Sequence, residues 1–115
     1  MSGDIVGVLQ FAVDGLTQRQ DAIANNLANS ETPGFTDTEV SFEQSLQQAV
    51  GSSGTATATV SSGPSGNPPA SDGNNVSLSD QLVEAQQATL QYQATSEMLN
   101  AQFRLVQGAA GGSFQ

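Results

Sequence analysis

Eleven carboxylates and two guanidiniums, Arg19 and Arg104, carry all the side-chain charge of this 115-residue chain, which has no histidine, lysine or cysteine. Acid–base and nucleophilic work near neutral pH draws on histidine, a tuned lysine or a thiolate, so the inventory argues against an enzyme. Asp37, Glu39 and Glu43 lie close enough in sequence to attract a hard cation. They lack the ligand count and the glycine-centred spacing of a calcium loop, and the preferred reading is a solvated acidic face. Asp72-Gly73-Asn74-Asn75 reads as a turn ahead of a helix. No catalytic, cofactor-binding or metal-binding residue is assigned.

The formal net charge of -9 speaks against nucleic acid, because phosphate binding needs clustered cations. It disfavours an anionic membrane surface for the same reason, and no apolar run approaches the length of a membrane span. Self-repulsion of so acidic a chain is screened by salt, so any assembly is expected to respond to ionic strength. Met1-Ser2-Gly3-Asp4 has an acid where a secretory leader carries positive charge. Export by a cleaved signal peptide is not expected, while a route that reads an uncleaved N-terminus stays open.

Hydrophobic residues make up 37% of the chain and aromatic residues 5%, which limits it to one domain with a thin core. Ile5, Leu9, Ala12, Leu16, Ile23 and Leu27 fall on one stripe of a helix expected from about Asp4 to Ser30. Arg19 and Asn26 occupy the same phase where further apolar residues would be expected. Gly7 and Gly15 weaken such a helix by about 1 kcal/mol each, and are either simply tolerated or allow close approach of another segment. The helix closes on asparagines and is stopped by Pro33 and Gly34.

Phe42, Leu46 and Ala49 share a face, which predicts a short helix from Ser41 to Val50 with Ser41 as its N-cap. Residues 51–75 are rich in Gly, Ser, Thr, Pro and Asn and read as a flexible linker. Thr55 to Val60 alternates in a way that suits an edge strand if a partner offers one. Leu78, Leu82, Ala85, Thr89, Tyr92, Ser96, Leu99, Phe103 and Val106 then step by four and three, a heptad seam. A second row runs through Val83, Leu90, Ala94, Ala101 and Leu105. Ser77 or Ser79 is expected to cap this helix and Gly108 to end it, with Phe114 as the only anchor of the tail.

The expected fold class is all-α. Two long terminal helices pack as an antiparallel coiled-coil hairpin, with a short helix and a flexible low-complexity segment between them. The divisions are 1–34, 35–50, 51–75, 76–107 and 108–115. Ile5, Leu9, Leu16, Ile23, Leu27, Leu82, Tyr92, Leu99 and Phe103 are assigned to subunit packing. One narrow seam hardly offsets backbone ordering, so partners are expected to cover the remaining stripes and a contact that does not close gives a helical polymer.

The run Arg19-Gln20-Asp21-Ala22-Ile23-Ala24-Asn25-Asn26-Leu27-Ala28-Asn29, followed by Thr32-Pro33-Gly34-Phe35, resembles the N-terminal signature of flagellar axial proteins of the rod and hook group. The C-terminal half is similar to a proximal rod member through Asn74-Asn75-Val76, Leu90-Gln91-Tyr92-Gln93-Ala94 and the heptads from Leu99 to Val106, with its sibling FlgC as the alternative. The resemblance implies a structural subunit of the proximal rod of the bacterial flagellar basal body, needed for motility. It also implies export by the flagellar type III apparatus, a place on the periplasmic side of the cell envelope, and contacts with FlgC, the FliE adaptor and copies of itself. Asn25, Asn26, Asn29, Thr32, Pro33, Gly34 and Phe35 form the family corner, expected to place neighbouring subunits. Phe42 and Leu46 match the spacing of the family's export-gate element, although the same pair also serves as an ordinary helix face. The rival from another class is a helical-hairpin adaptor that binds one partner and never polymerises.

Overall fold

The computed structural model describes residues 2–51 and 58–111, with the order α1 (Ser2–Ala28), β1 (Glu39–Ser41), α2 (Glu43–Gly51), β2 (Ser61–Gly63) and α3 (Leu78–Gly111). The long helices α1 and α3 pack on each other, β1 and α2 pack against α1, and β2 lies beside β1. Contacts along α1 and α3 run in opposite senses: Asn26 meets Gln81, whereas Leu16 shares its core with Tyr92.

Ala12, Leu16 and Ile23 of the expected stripe are buried, and Arg19 and Asn26 lie in the same phase. α1 stops two residues before the predicted Ser30, where the amides of Asn29 and Ser30 fold back on Asn25, Asn26 and Leu27. Asparagine amides compete with the helical ladder, and Pro33 prevents its recovery.

The core is small, as the composition implies. Phe42 stands edge-on to Phe11 with ring centroids 6.1 Å apart, beside Ala12, Leu16 and Val40. Gly15 makes this approach possible, since a Cβ there would lie 2.6 Å from the Phe42 ring. Close approach is therefore the reason for this glycine.

Three predicted boundaries are corrected. Ser41 is not an N-cap: it ends β1, and α2 begins at Glu43 with the Phe42 carbonyl accepting the Leu46 amide at 2.8 Å. Val40 and Phe42 both point inward while Glu39 and Ser41 are exposed, so the period here is two, that of a strand. β1 pairs antiparallel with β2, Val40 opposite Ser62, within a stretch read as a flexible linker. The alternating Thr55–Val60 segment lies partly outside the described residues, and the strand forms just beyond it, where β1 supplies a partner. Third, α3 continues through Gly108 to Gly111. Ala109 and Ala110 have the highest helix propensity and offset one glycine. Phe114 lies outside the described residues.

The stripe that α3 buries is also displaced. Gln81, Ala88 and Thr95 are buried, with Ala85, Tyr92 and Leu99 half-buried beside them. Leu82 and Phe103, assigned to the seam, are exposed, as is Ile5. Close packing of two helices here favours small and hydrogen-bonding side chains over leucine. Ser77 caps α3: its carbonyl accepts the Gln81 amide at 3.0 Å and its hydroxyl the Asp80 amide at 3.4 Å. Ser79 lies inside the helix.

Candidate functional site

The asparagine corner is built from its own chain. Asn26 retains 1% of its surface exposed. Its Nδ2 donates to the Thr38 carbonyl at 2.8 Å and to Gln81 Oε1 at 3.0 Å, and its Oδ1 accepts the Thr38 amide at 2.9 Å. The side chain thus pairs with residue 38 as a strand would, and ties it to both long helices. Asn29 donates to the Asn25 carbonyl and accepts the Thr32 hydroxyl.

A second asparagine, Asn74 in the segment ahead of α3, closes the corner. Asn74 Nδ2 donates to the Asn29 and Thr32 carbonyls, both at 2.8 Å, and so caps the end of α1. Its Oδ1 accepts the Val76 amide at 2.8 Å, just ahead of α3. The turn before it has the predicted form, with Gly73 at φ 86° and the Asn74 amide on Asp72 Oδ1. Gly34, at φ 75°, donates to the Asp72 carbonyl at 2.9 Å. A Cβ on Gly73 would come 3.2 Å from the Gly34 Cα, so these glycines permit two tight turns to stack.

Asp37 departs from the solvated-face reading, because it is buried. Its Oδ1 accepts the Ser65 amide at 3.0 Å and Asn75 Nδ2 at 3.3 Å, while its own amide donates to Asn75 Oδ1 at 2.7 Å. Glu39 and Glu43 are exposed. No group of three or more carboxylates among the described residues is arranged to hold a metal ion. Every buried side-chain nitrogen and oxygen described has a hydrogen-bond partner.

Arg19 carries the other polar anchor. Its guanidinium forks onto both Glu43 oxygens, donates to the Val40 carbonyl at 2.8 Å, and lies 4.8 Å from the centre of the Phe42 ring. The hydrogen bonds to Glu43 raise the arginine pKa and hold the Glu43 carboxyl below the ordinary range. Glu84, across a cleft that Arg19 and Glu39 also line, is pushed up by burial and by the charge of Glu39. Phe42 is buried here beneath Arg19, and Leu46 is half-buried against the same core.

Residues 9–36, most of α1 and the corner to Thr36, match the family described as flagella basal body rod protein. The chain is 29% identical over 110 residues to the flagellar basal body rod protein FlgB of Aeromonas hydrophila, covering 83% of each. The chain is thus similar to the flagellar basal-body rod proteins. The family is a structural one, not a family of enzymes. Its matched segment ends where the Asn26–Thr38 pairing begins, so the partners that satisfy the corner, Asn74, Asn75 and Gln81, lie outside it. Asn74-Asn75 was visible as a motif, but its role as a cap on α1 needed the chain to fold back. Buried Gln81 had no signal, because its position in the helix period belongs to an apolar residue.

Of the packing residues named from sequence, Leu16 and Ile23 are buried within the chain, and Leu9, Leu27, Tyr92 and Leu99 are half-buried. Ile5, Leu82 and Phe103 remain uncovered. In the corner, Asn26 and Asn29 are occupied internally, whereas Asn25, Thr32, Pro33 and Gly34 are exposed and Phe35 is half-buried. No described helix is long and apolar enough to cross a membrane.

Proposed function

We propose that this structural rod subunit polymerises through the faces of α1 and α3 that its own fold leaves uncovered. One observation carries the reading: α3 exposes Val83, Leu90, Met98 and Leu105 in a helix whose other side is already packed. Exposed apolar surface of that extent marks an interaction site. The two long helices act as an antiparallel coiled-coil hairpin, and neighbours supply the layer that the hairpin lacks. Ile5, Leu82 and Phe103 face those neighbours, and Asn25, Thr32 and Pro33 present the outer side of the corner to them.

Within the basal body the neighbours are further rod proteins, FlgC among them, and the FliE adaptor at the rod base. The subunit leaves the cell by the flagellar type III apparatus, and motility depends on it. Phe42 and Leu46 serve as the export-gate element in a chain not yet folded, since folding places Phe42 under Arg19. Similarity to FlgB over 83% of the chain supports the proximal position.

Electron microscopy of basal bodies from a strain deleted for this protein tests the reading. Rods absent from the deletion strain and restored by the intact gene are expected; rods present without the protein overturn it. Sedimentation of the purified chain separates it from a one-partner adaptor, which would stay monomeric at every concentration.

A further inference from the structure

The sequence of α3 offers α1 two seams that share one row. In the seam that is used, Gln81, Ala88 and Thr95 are buried, with Gln102 half-buried after them and Ala85, Tyr92 and Leu99 half-buried beside them. Leu82, Thr89, Ser96 and Phe103 each lie one residue further on, and with the same Ala85, Tyr92 and Leu99 they make a second seam of threes and fours. Each residue turns an α-helix by about 100°, so the seams differ by a rotation of about 50° about the axis of α3.

Apolar burial favours the seam that is not used. Gln81 is 4% exposed, whereas Leu82 is 53% and Phe103 41% exposed, so a glutamine has gone inside while a leucine and a phenylalanine stay out. Hydrophobic transfer alone would choose the reverse. What opposes it is the amide of Asn26, which is 1% exposed. Its Nδ2 has two hydrogens to place: one goes to the Thr38 carbonyl and the other to Gln81 Oε1. Leu82 in the place of Gln81 would leave the second hydrogen buried without an acceptor, a loss that burying a leucine does not repair.

We propose that the Asn26–Gln81 hydrogen bond is a pin that selects which face of α3 packs on α1, and that without it α3 turns by about 50° to bury Leu82 and Phe103. Asn26 is suited to the part because Thr38 holds it from the other side, its amide donating to Asn26 Oδ1 at 2.9 Å and its carbonyl accepting Nδ2. The asparagine therefore cannot follow a turning helix, and Gln81 must come to it. A single buried polar side chain fixes alignment in coiled coils in the same way, at a cost in stability. Two packings of one sequence separated by so small a difference form a bistable element. The pin acts within one chain, and it stands whatever covers the outer face.

The chain has no native cysteine, so one introduced thiol reports burial at a chosen point of α3. Full-length Thr89→Cys and Thr95→Cys chains are labelled with a maleimide at low protein concentration, since Thr89 is exposed and Thr95 buried. With Gln81 in place, Thr89→Cys is expected to react several-fold faster than Thr95→Cys. Adding Gln81→Ala, which removes the acceptor, is expected to reverse that order, slowing position 89 and speeding position 95 while circular dichroism shows the helices intact. An unchanged order would show that the close fit of Ala88 holds the face, and would overturn the pin. Faster labelling at both positions would show that Gln81 supplies stability and selects no face, which overturns it equally. As a second measurement, Gln81→Leu combined with Leu82→Gln moves the acceptor to the other row at constant composition. The same reversal is expected, and retention of the original order would overturn the proposal.

Discussion

The two ends of α3 are finished in opposite ways. At its start, Gln81 is buried against Asn26, and the nearby corner saturates every buried polar side-chain atom with partners from three parts of the chain. Toward its end, Met98, Phe103, Leu105 and Val106 stand exposed, and Arg104 has no ion-pair partner among the described residues. Buried amides lose much stability when left unpaired, so the corner must close inside the subunit. Exposed apolar stripes tolerate waiting, because water leaves them only when a neighbour arrives. The corner is thus closed within the chain, whereas the far half of α3 leaves the apolar surface to which the proposed function assigns assembly.

The sharpest way to break this contrast is to charge the open face. Leu90→Asp is expected to abolish association and rod assembly while shifting monomer stability by no more than about 0.5 kcal/mol, as surface substitutions generally do. Sedimentation and chemical unfolding measure the two effects, and a large loss of monomer stability would mean that Leu90 is part of the intramolecular core. At the closed end the outcome reverses. Asn26→Ala strands the Thr38 amide and carbonyl and the Gln81 side chain, and should cost on the order of 3 kcal/mol, read as an earlier unfolding midpoint by circular dichroism.

Gly15→Ala probes the packing between the two ends. Alanine gains about 1 kcal/mol of helix propensity, but its Cβ would meet the Phe42 ring at 2.6 Å, and overpacking costs about 1–3 kcal/mol. A net loss of up to about 2 kcal/mol is expected in the same unfolding measurement. A gain would show that the ring can move aside.

The smallest effects follow pH. Glu43 has a depressed pKa in the folded chain, because Arg19 hydrogen-bonds its carboxylate. Its contribution is complete above the unfolded glutamate value of about 4.3, and is lost as pH falls through the lower folded value. Its side chain is 57% exposed, so solvent screens much of the pair. Glu84 behaves in the opposite sense, because burial and the charge of Glu39 raise its pKa. Its contribution is complete below about 4.3 and is lost as pH rises through the folded value. At neutral pH, Glu43→Gln should slightly destabilise and Glu84→Gln slightly stabilise; both differences should vanish in strong acid, and unfolding midpoints across pH 2–7 would show whether they do.

Helical periodicity placed α1 and α3 within a few residues of their ends, because burial repeats along one face leave a mark on local sequence. Ser41 was misplaced because Phe42, Leu46 and Ala49 also fit a helix, while the shorter alternation through Val40 and Phe42 belonged to β1. β2 had no signal of its own, since Ser61–Gly63 gains a partner only when β1 lies beside it. The corner residues were recognisable as a group, but their partners were not. Asn26, Asn74 and Gln81 meet across up to 55 residues of chain, a distance over which hydrogen-bonding residues leave no periodic trace.

Residue types alone determined that this chain has no histidine, lysine or thiol for catalysis, that its helices carry more than one apolar row, and that its charge is overwhelmingly negative. Those properties are sums and periods, readable without coordinates. Only the tertiary structure decided which row goes inside. The packing of α1 against α3 selected Gln81, Ala88 and Thr95 over the leucines beside them, because the helices approach closely and the amide of Asn26 needs an acceptor. The leucines were thereby left outside, where the next subunit can cover them.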